Sequence, residues 1–201
     1  MGGRSRAAAQ LLSGKGFKEV YNLKGGIKAW QGEGAAGPED MGMALLQGDE
    51  TVEEIIVLAG SMEVGLKEFY TILGEGSQDE ELRELLLKLA EVEEKHKGRL
   101  LDLYLRENLE TGREKVEARM TSGVMEGGFT TEEFIKRYKE ALENTSGCLS
   151  VAMMVEAQAL DLYMRYSRKA GDDKGRQLFQ QIAEDEKGHL KALAMLMEKR
   201  A

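Results

Sequence analysis

The sequence is short of the residues that cross-link a chain or break its helices. Its one cysteine, Cys148, excludes an internal disulfide and any metal cage built from cysteine thiolates. Its one proline, Pro38, lies outside every long segment with a helical apolar period. The composition is rich in the helix formers Leu, Glu, Lys, Ala and Met, and it predicts a mainly α-helical protein.

Long apolar runs and a basic surface are also lacking. No stretch of about 18 apolar residues exists, so the sequence predicts no membrane-spanning segment. The net charge of −8 argues against nucleic acid or an anionic membrane as a partner, since both bind a basic face, and it suits a protein that attracts cations. The apolar run after Arg6 is too short for a targeting signal and is broken by Gln10, so we expect a cytoplasmic protein.

A glycine-rich stretch divides the chain into two unequal parts. Five glycines and Pro38 fall within residues 32–50, and we place a boundary there. Residues 1–40 are predicted to be a small N-terminal α/β fragment with its linker, in which residues 17–23 form a short strand between glycine turns. Residues 41–201 are predicted to be a helical domain.

Capping residues and apolar periodicity predict four long helices and one short helix in that domain. We place them at residues 51–73, 77–108, 131–143, 147–170 and 172–199. The first two begin at capping boxes, Thr51 with Glu54 and Ser77 with Glu80. Very short loops join the long helices into two antiparallel hairpins, and a link of roughly 40 residues joins the hairpins. A four-helix bundle with one long crossover connection needs such a link.

The most informative feature is a gapless internal repeat with a shift of 93 residues. The shift superimposes the first hairpin on the second and aligns the only two histidines of the chain. Each histidine ends a Glu-x-x-His unit, whose two side chains project from one helix face. The aligned pairs include Glu63 with Glu156, Tyr70 with Tyr163, Glu93 with Glu186, and His96 with His189.

The repeat predicts a site for two metal ions. Glu63 and Glu156 lie in the middle of apolar helix faces, where an unpaired carboxylate would be very costly. Two divalent cations would neutralise the four clustered carboxylates. Oxygen and imidazole ligands without thiolate suit iron or manganese, with zinc as an alternative. Two single glutamates plus two Glu-x-x-His units form the di-metal pattern of bundle proteins. The candidate ligands are Glu63, Glu93, His96, Glu156, Glu186 and His189.

Simpler interpretations remain for single residues. One such glutamate alone would more simply be neutralised by a nearby Lys or Arg, but six residues related by one repeat favour metal. For Tyr70 and Tyr163, core packing and a role beside the ligands are both open. We interpret Glu94 and Glu184 as solvated charges. Cys148 is interpreted as a small core residue, with a redox role as the alternative because a helix N-terminus lowers a thiol pKa.

Four motifs carry a resemblance to a known family. They are Met62-Glu63 through Tyr70, Glu93-Glu94-Lys95-His96, Val155-Glu156 through Tyr163, and Glu186-Lys187-Gly188-His189. With them, residues 51–199 resemble the di-iron domain of the rubrerythrin branch of the ferritin-like superfamily. The resemblance implies an all-α, ferritin-like four-helix bundle that binds two iron ions and reacts with hydrogen peroxide or dioxygen.

The resemblance also implies a role for each candidate residue. Glu63 and His96 would bind one iron, Glu156 and His189 the other, and Glu93 and Glu186 would bridge them. Tyr70 and Tyr163 would act in catalysis by hydrogen-bonding across the bundle to the ligands.

Two departures from the family pattern limit these implications. Rubrerythrins typically carry a seventh carboxylate three residues after the glutamate of the third helix, and here that position is Ala159. They often carry a rubredoxin domain with paired Cys-x-x-Cys motifs, and this chain has none. We therefore expect the electrons to come from a separate donor protein.

Residues 2–32 resemble a different family, the C-terminal part of a rhodanese domain. The resemblance rests on Gly2-Gly3-Arg4-Ser5, Gly16-Phe17, Val20-Tyr21-Asn22-Leu23 and Gly25-Gly26-Ile27-Lys28-Ala29-Trp30. The catalytic cysteine of rhodaneses stands just ahead of the first of these motifs, so we expect no sulfurtransferase activity. The fragment is too small to bury a core, and we expect it to contact a second subunit in a homodimer.

Three functions fit these patterns. The first is a di-iron oxidoreductase that reacts with peroxide or dioxygen and protects a reducing cytoplasm. The second is a ferroxidase that handles iron for storage elsewhere. The third is a non-catalytic, metal-stabilised interaction or sensor module.

Overall fold

The computed structural model describes residues 51–107, 112–120, 124–125, 128–170 and 173–200, together with Ala9 and Val20. Between residues 51 and 200 it contains α1 Val52–Gly76, α2 Glu80–Glu107, α3 Arg113–Arg119, α4 Thr131–Arg137, α5 Lys139–Leu142, α6 Thr145–Lys169 and α7 Asp173–Lys199. These described residues form no strand, only an isolated bridge between Val124 and Thr130. The predicted all-α class is confirmed. The strand predicted at residues 17–23 and the α/β fragment lie outside the described residues.

Four long helices form the bundle. Helices α1 and α2 pack along each other as one hairpin, and α6 and α7 as the other. The hairpins meet through α2 and α7, and α3 to α5 lie in the crossover between α2 and α6. The predicted ferritin-like bundle with one crossover is therefore confirmed. None of the described helices is long and apolar enough to span a membrane.

Helix starts confirm one predicted cap and correct another. At α1, Thr51 and Glu54 form both hydrogen bonds of the predicted capping box. At α2 the prediction of Ser77 was wrong. Asp79 caps that helix, because its Oδ1 accepts from the Leu82 N–H at 3.2 Å. Ser77 instead ends α1, where its N–H donates to the Gly74 carbonyl at 3.2 Å.

The remaining helix bounds differ from the predictions by a few residues. Helix α1 continues to Gly76, since Gly74 lies buried against α2, where a Cβ atom would come within 3.0 Å of the Leu87 side chain. Helix α6 begins at Thr145 rather than Gly147, because Asn144 caps it by accepting from the Gly147 N–H at 2.9 Å. Helix α4 is capped by Thr130, and α3 was not predicted at all.

The crossover packs directly on α1. Phe134 of α4 meets Phe69 edge-on, with ring centroids 5.6 Å apart. Further up α1, the Val124 N–H donates to the Ser61 carbonyl at 3.3 Å. A Cβ atom on Gly65 would lie 2.9 Å from the Val124 carbonyl oxygen, so only glycine allows this approach. The crossover therefore contacts α1 on both sides of Glu63 in the sequence.

Candidate metal centre

The structure brings all six candidate ligands together at the centre of the bundle. Helices α1 and α6 contribute one glutamate each, and α2 and α7 contribute one Glu-x-x-His unit each. All six residues are buried, with exposed fractions from 0% to 7%. Their ligand atoms form two overlapping groups, in each of which all atoms lie within 4.8 Å of one another. One group is Glu63, Glu93, His96 and Glu186, and the other is Glu93, Glu156, Glu186 and His189.

Both imidazoles turn the same nitrogen, Nδ1, towards the carboxylates. His96 Nδ1 lies 3.0 Å from Glu93 Oε2 and 3.2 Å from Glu186 Oε1. His189 Nδ1 lies 3.0 Å from Glu156 Oε2 and 3.1 Å from Glu186 Oε2. The two rings stack with centroids 5.7 Å apart. Glu93 and Glu186 are thus shared between the two groups, the position expected of bridging ligands.

Four carboxylate oxygens in the cluster have no hydrogen bond, although each lies within 4 Å of an imidazole nitrogen. The reason is that each Nδ1 carries at most one proton, while several carboxylates surround it. These oxygens are Glu63 Oε2, Glu93 Oε1, and both oxygens of Glu186. Buried acceptors without donors are costly, and a cation is the partner they lack. The donor set therefore fits metal.

The pKa values reflect the same crowding. Burial raises the pKa of Glu156 to about 8, and the charge of Glu186 adds to the effect. Burial, with the charges of Glu186 and Glu63, also raises the pKa of Glu93 well above its usual value. Burial alone would lower the pKa of His189, but hydrogen bonds to Glu156 and Glu186 outweigh it and raise that pKa to about 10. Without metal, the site therefore retains protons.

The two predicted tyrosines make reciprocal contacts across the bundle. The Tyr70 hydroxyl of α1 donates to Glu156 of α6, and the Tyr163 hydroxyl of α6 donates to Glu63 of α1. Burial, followed by the neighbouring carboxylate charges, raises the pKa of both phenols well above its usual value. Both tyrosines therefore remain protonated hydrogen-bond donors.

Sequence reasoning missed two residues beside the cluster, Asp185 and Arg99. Asp185 Oδ2 lies 3.3 Å from Nε2 of His96, the nitrogen that faces away from the carboxylates. Arg99 donates to the same oxygen at 2.7 Å. Two signals in the sequence could have found them, since Asp185 directly precedes Glu186 and Arg99 lies one helical turn after His96. The repeat hid both residues, because it aligns Asp185 with Val92 and Arg99 with Ala192.

Other residues singled out in the sequence lie outside the cluster. Glu94 is exposed and pairs with Lys67 at 2.8 Å, and Glu184 is exposed and pairs with Lys187, as expected of solvated charges. Ala159 is buried and offers no ligand atom. Cys148 is buried, donates to the Leu142 carbonyl at 3.1 Å, and has a pKa raised by burial. That shift opposes the redox alternative, which requires a lowered thiol pKa.

Comparison with known proteins places the two parts of the chain in different families. The family model for rubrerythrin matches residues 54–197, and the model for the rhodanese-like domain matches residues 1–33. No curated protein and no solved structure matches the chain. The rubrerythrin match spans all four long helices and all six candidate ligands. The chain therefore belongs to the rubrerythrin family.

Proposed function

We propose that the protein is a di-iron oxidoreductase that reduces hydrogen peroxide, with dioxygen as the alternative substrate, in the cytoplasm. The observation that carries the proposal is the pair of overlapping, fully buried ligand groups that share two glutamates. In this assignment, Glu63 and His96 hold one iron and Glu156 and His189 hold the other. Glu93 and Glu186 bridge the two.

Bound iron would supply the chemistry, because two ferrous ions carry the two electrons that reduce one peroxide to two waters. The chain supplies the environment. Tyr70 and Tyr163 each fix the orientation of a terminal glutamate by donating to it. Buried aliphatic and aromatic side chains around the cluster, among them Ile56, Leu100 and Phe179, keep bulk water away from it.

The proposal includes a separate protein as electron donor. Reducing the site again takes two electrons per peroxide, and the chain has only Cys148, which is too few cysteines for a rubredoxin-type or iron–sulfur centre of its own. Ala159 leaves both metals with the six ligands named above. We therefore assign no ligand exchange of the kind that a seventh carboxylate would allow.

Rapid mixing of the anaerobic, ferrous-loaded full-length protein with peroxide tests the proposal. We expect about one equivalent of peroxide to be consumed per chain, because two irons deliver two electrons, with the iron remaining bound. A parallel experiment with dioxygen ranks the two oxidants. Glu93→Gln should abolish the fast phase, since it removes a shared ligand. Glu94→Gln, one residue away but exposed and paired with Lys67, should leave that phase unchanged.

Two results would contradict the proposal. Oxidation of many iron equivalents per chain, with release of the product, would make the protein a ferroxidase. Tight metal binding with peroxide consumption no faster than that of free ferrous ion would make it a non-catalytic module.

A further inference from the structure

We infer that the two metal positions are unequal, and that the position built on His96 is the tighter because Asp185 acts as a positioning residue for that histidine. The inference rests on the proposed function, since it assumes that metals bind at the two histidines. It goes further by ranking the two positions and by giving roles to Asp185 and Arg99, which are not ligands.

The first step is the geometry around His96. Its side chain is fully buried, and its Nδ1 faces the carboxylates, so a metal must bind at that nitrogen. The ring proton then resides on Nε2, which lies 3.3 Å from Asp185 Oδ2. Arg99 donates to the same carboxylate oxygen at 2.7 Å and holds it in place. The three residues form a chain of hydrogen bonds from the surface to the ligand.

The second step is the contrast at His189. Its Nδ1 faces the carboxylates in the same way, but no described residue forms a hydrogen bond with its Nε2. Its side chain keeps 9% of its surface exposed, whereas that of His96 keeps none. The repeat explains the difference, because Val92 and Ala192 stand at the positions equivalent to Asp185 and Arg99. Water is the partner left for this nitrogen.

The third step is the effect on metal binding. A carboxylate on the outer nitrogen of a ligating imidazole fixes the tautomer, orients the ring and raises its basicity. Losing such a partner typically lowers metal affinity by about 10–100-fold. The ion pair of Asp185 with Arg99 is itself half exposed and weak. Its importance here is that it orients the carboxylate towards His96.

Nuclear magnetic resonance with ¹⁵N-labelled histidine tests the inference, because the chain has only two histidines. The full-length, metal-free protein is titrated with Zn²⁺, which keeps redox chemistry out of the experiment. Stepwise binding constants alone would not suffice, since repulsion between two cations separates them even at identical positions. The readout is therefore which imidazole responds to the first equivalent. A His189→Asn sample, which retains only the His96 signals, assigns them.

We expect the first equivalent of Zn²⁺ to shift the His96 signals and leave those of His189 nearly unchanged. Asp185→Asn should reduce this preference by about 10–100-fold. Arg99→Gln, which keeps the carboxylate but removes its anchor, should reduce the preference less. Val92→Asp, which places a carboxylate at the equivalent position beside His189, should raise occupancy there. Glu184→Gln is the matched control, because it removes a charge next to Asp185 that does not contact His96.

Three results would overturn the inference. In the first, both histidines respond equally to the first equivalent, or His189 responds first. In the second, Asp185→Asn leaves the preference unchanged. Either would refute the ranking while leaving the two-metal site intact. In the third, neither histidine responds to Zn²⁺, which would refute the proposed function together with this inference.

Discussion

At the scale of single residues, the centre of the bundle is held by a small number of reciprocal contacts. Tyr70 and Tyr163 each give a hydrogen bond to the glutamate of the opposite hairpin. Removing charge-bearing groups from water costs several kcal/mol per ion unless hydrogen bonds or counter-charges compensate. In the metal-free protein these two hydroxyls, with the imidazoles, provide that compensation. The tyrosines therefore stabilise the fold as well as orienting the ligands.

Tyr70→Phe or Tyr163→Phe should lower the free energy of unfolding of the metal-free protein by about 1–3 kcal/mol, because each leaves a buried carboxylate oxygen without its donor. Denaturant titration measures the change. Tyr104→Phe is the control, since its hydroxyl accepts from the exposed Arg119, which water can hydrate instead. Equal losses in all three variants would show that the hydroxyls beside the cluster have no special role.

At the scale of helices, the crossover is held against α1 by close backbone contact around Gly65. Gly65→Ala should destabilise the protein by about 1–3 kcal/mol, because the new Cβ would press on the Val124 backbone, which cannot rotate away as a side chain can. Gly98→Ala, inside α2 with open space around its Cβ position, should stabilise by about 0.5–1 kcal/mol. Thermal unfolding of the two variants provides the comparison, and shifts of the same sign would contradict this account of the crossover.

Helices were also where sequence reasoning worked best and where its limits lay. Periodicity and the repeat predicted the four long helices and the convergence of both Glu-x-x-His units, since both depend on local spacing. The cap of α2 was misplaced because Ser77, Gln78 and Asp79 offer two competing cap residues, and packing of α1 past Gly74 decides between them. Asp185 was missed because its partner His96 is on another helix, and the repeat does not duplicate it.

At the scale of the whole molecule, the protonation of the cluster makes stability depend on pH. The folded metal-free protein keeps a proton on Glu156 up to a pKa of about 8, against 4.5 for an ordinary glutamate, and on His189 up to about 10, against 6.5. Over these ranges the folded state binds more protons than the unfolded state, so the free energy of unfolding falls as pH rises. Glu186, whose pKa is lowered, has the opposite effect only below about pH 4.5.

We therefore expect the melting temperature of the metal-free protein to rise as pH is lowered from about 9 to about 5. Metal requires deprotonated ligands, so the stabilisation by added metal should grow in the opposite direction, from pH 5 to 8. Calorimetry with and without metal measures both trends. A difference between the two forms that stays constant with pH would show that the cluster does not titrate.

The N-terminal region gives a second prediction at this scale. The rhodanese-like match ends at residue 33 and the rubrerythrin match begins at residue 54, so the two do not overlap. Deleting residues 1–40 should leave metal loading unchanged, because every candidate ligand lies in the described helices. On our proposal that the N-terminal region contacts a second subunit, the deletion should also weaken self-association, measured by sedimentation. Loss of metal binding in a deletion variant that remains helical would contradict the proposed division.

The central claim is that six residues hold two metals, and anaerobic titration with ferrous iron, followed by metal analysis, tests it most directly. We predict saturation at two irons per chain, because the ligand atoms form two overlapping groups. His96→Ala and His189→Ala should each lower the affinity of one iron far more than Glu94→Gln does, since Glu94 is exposed and outside both groups. Saturation of the unaltered protein at one iron, or none, would contradict the account.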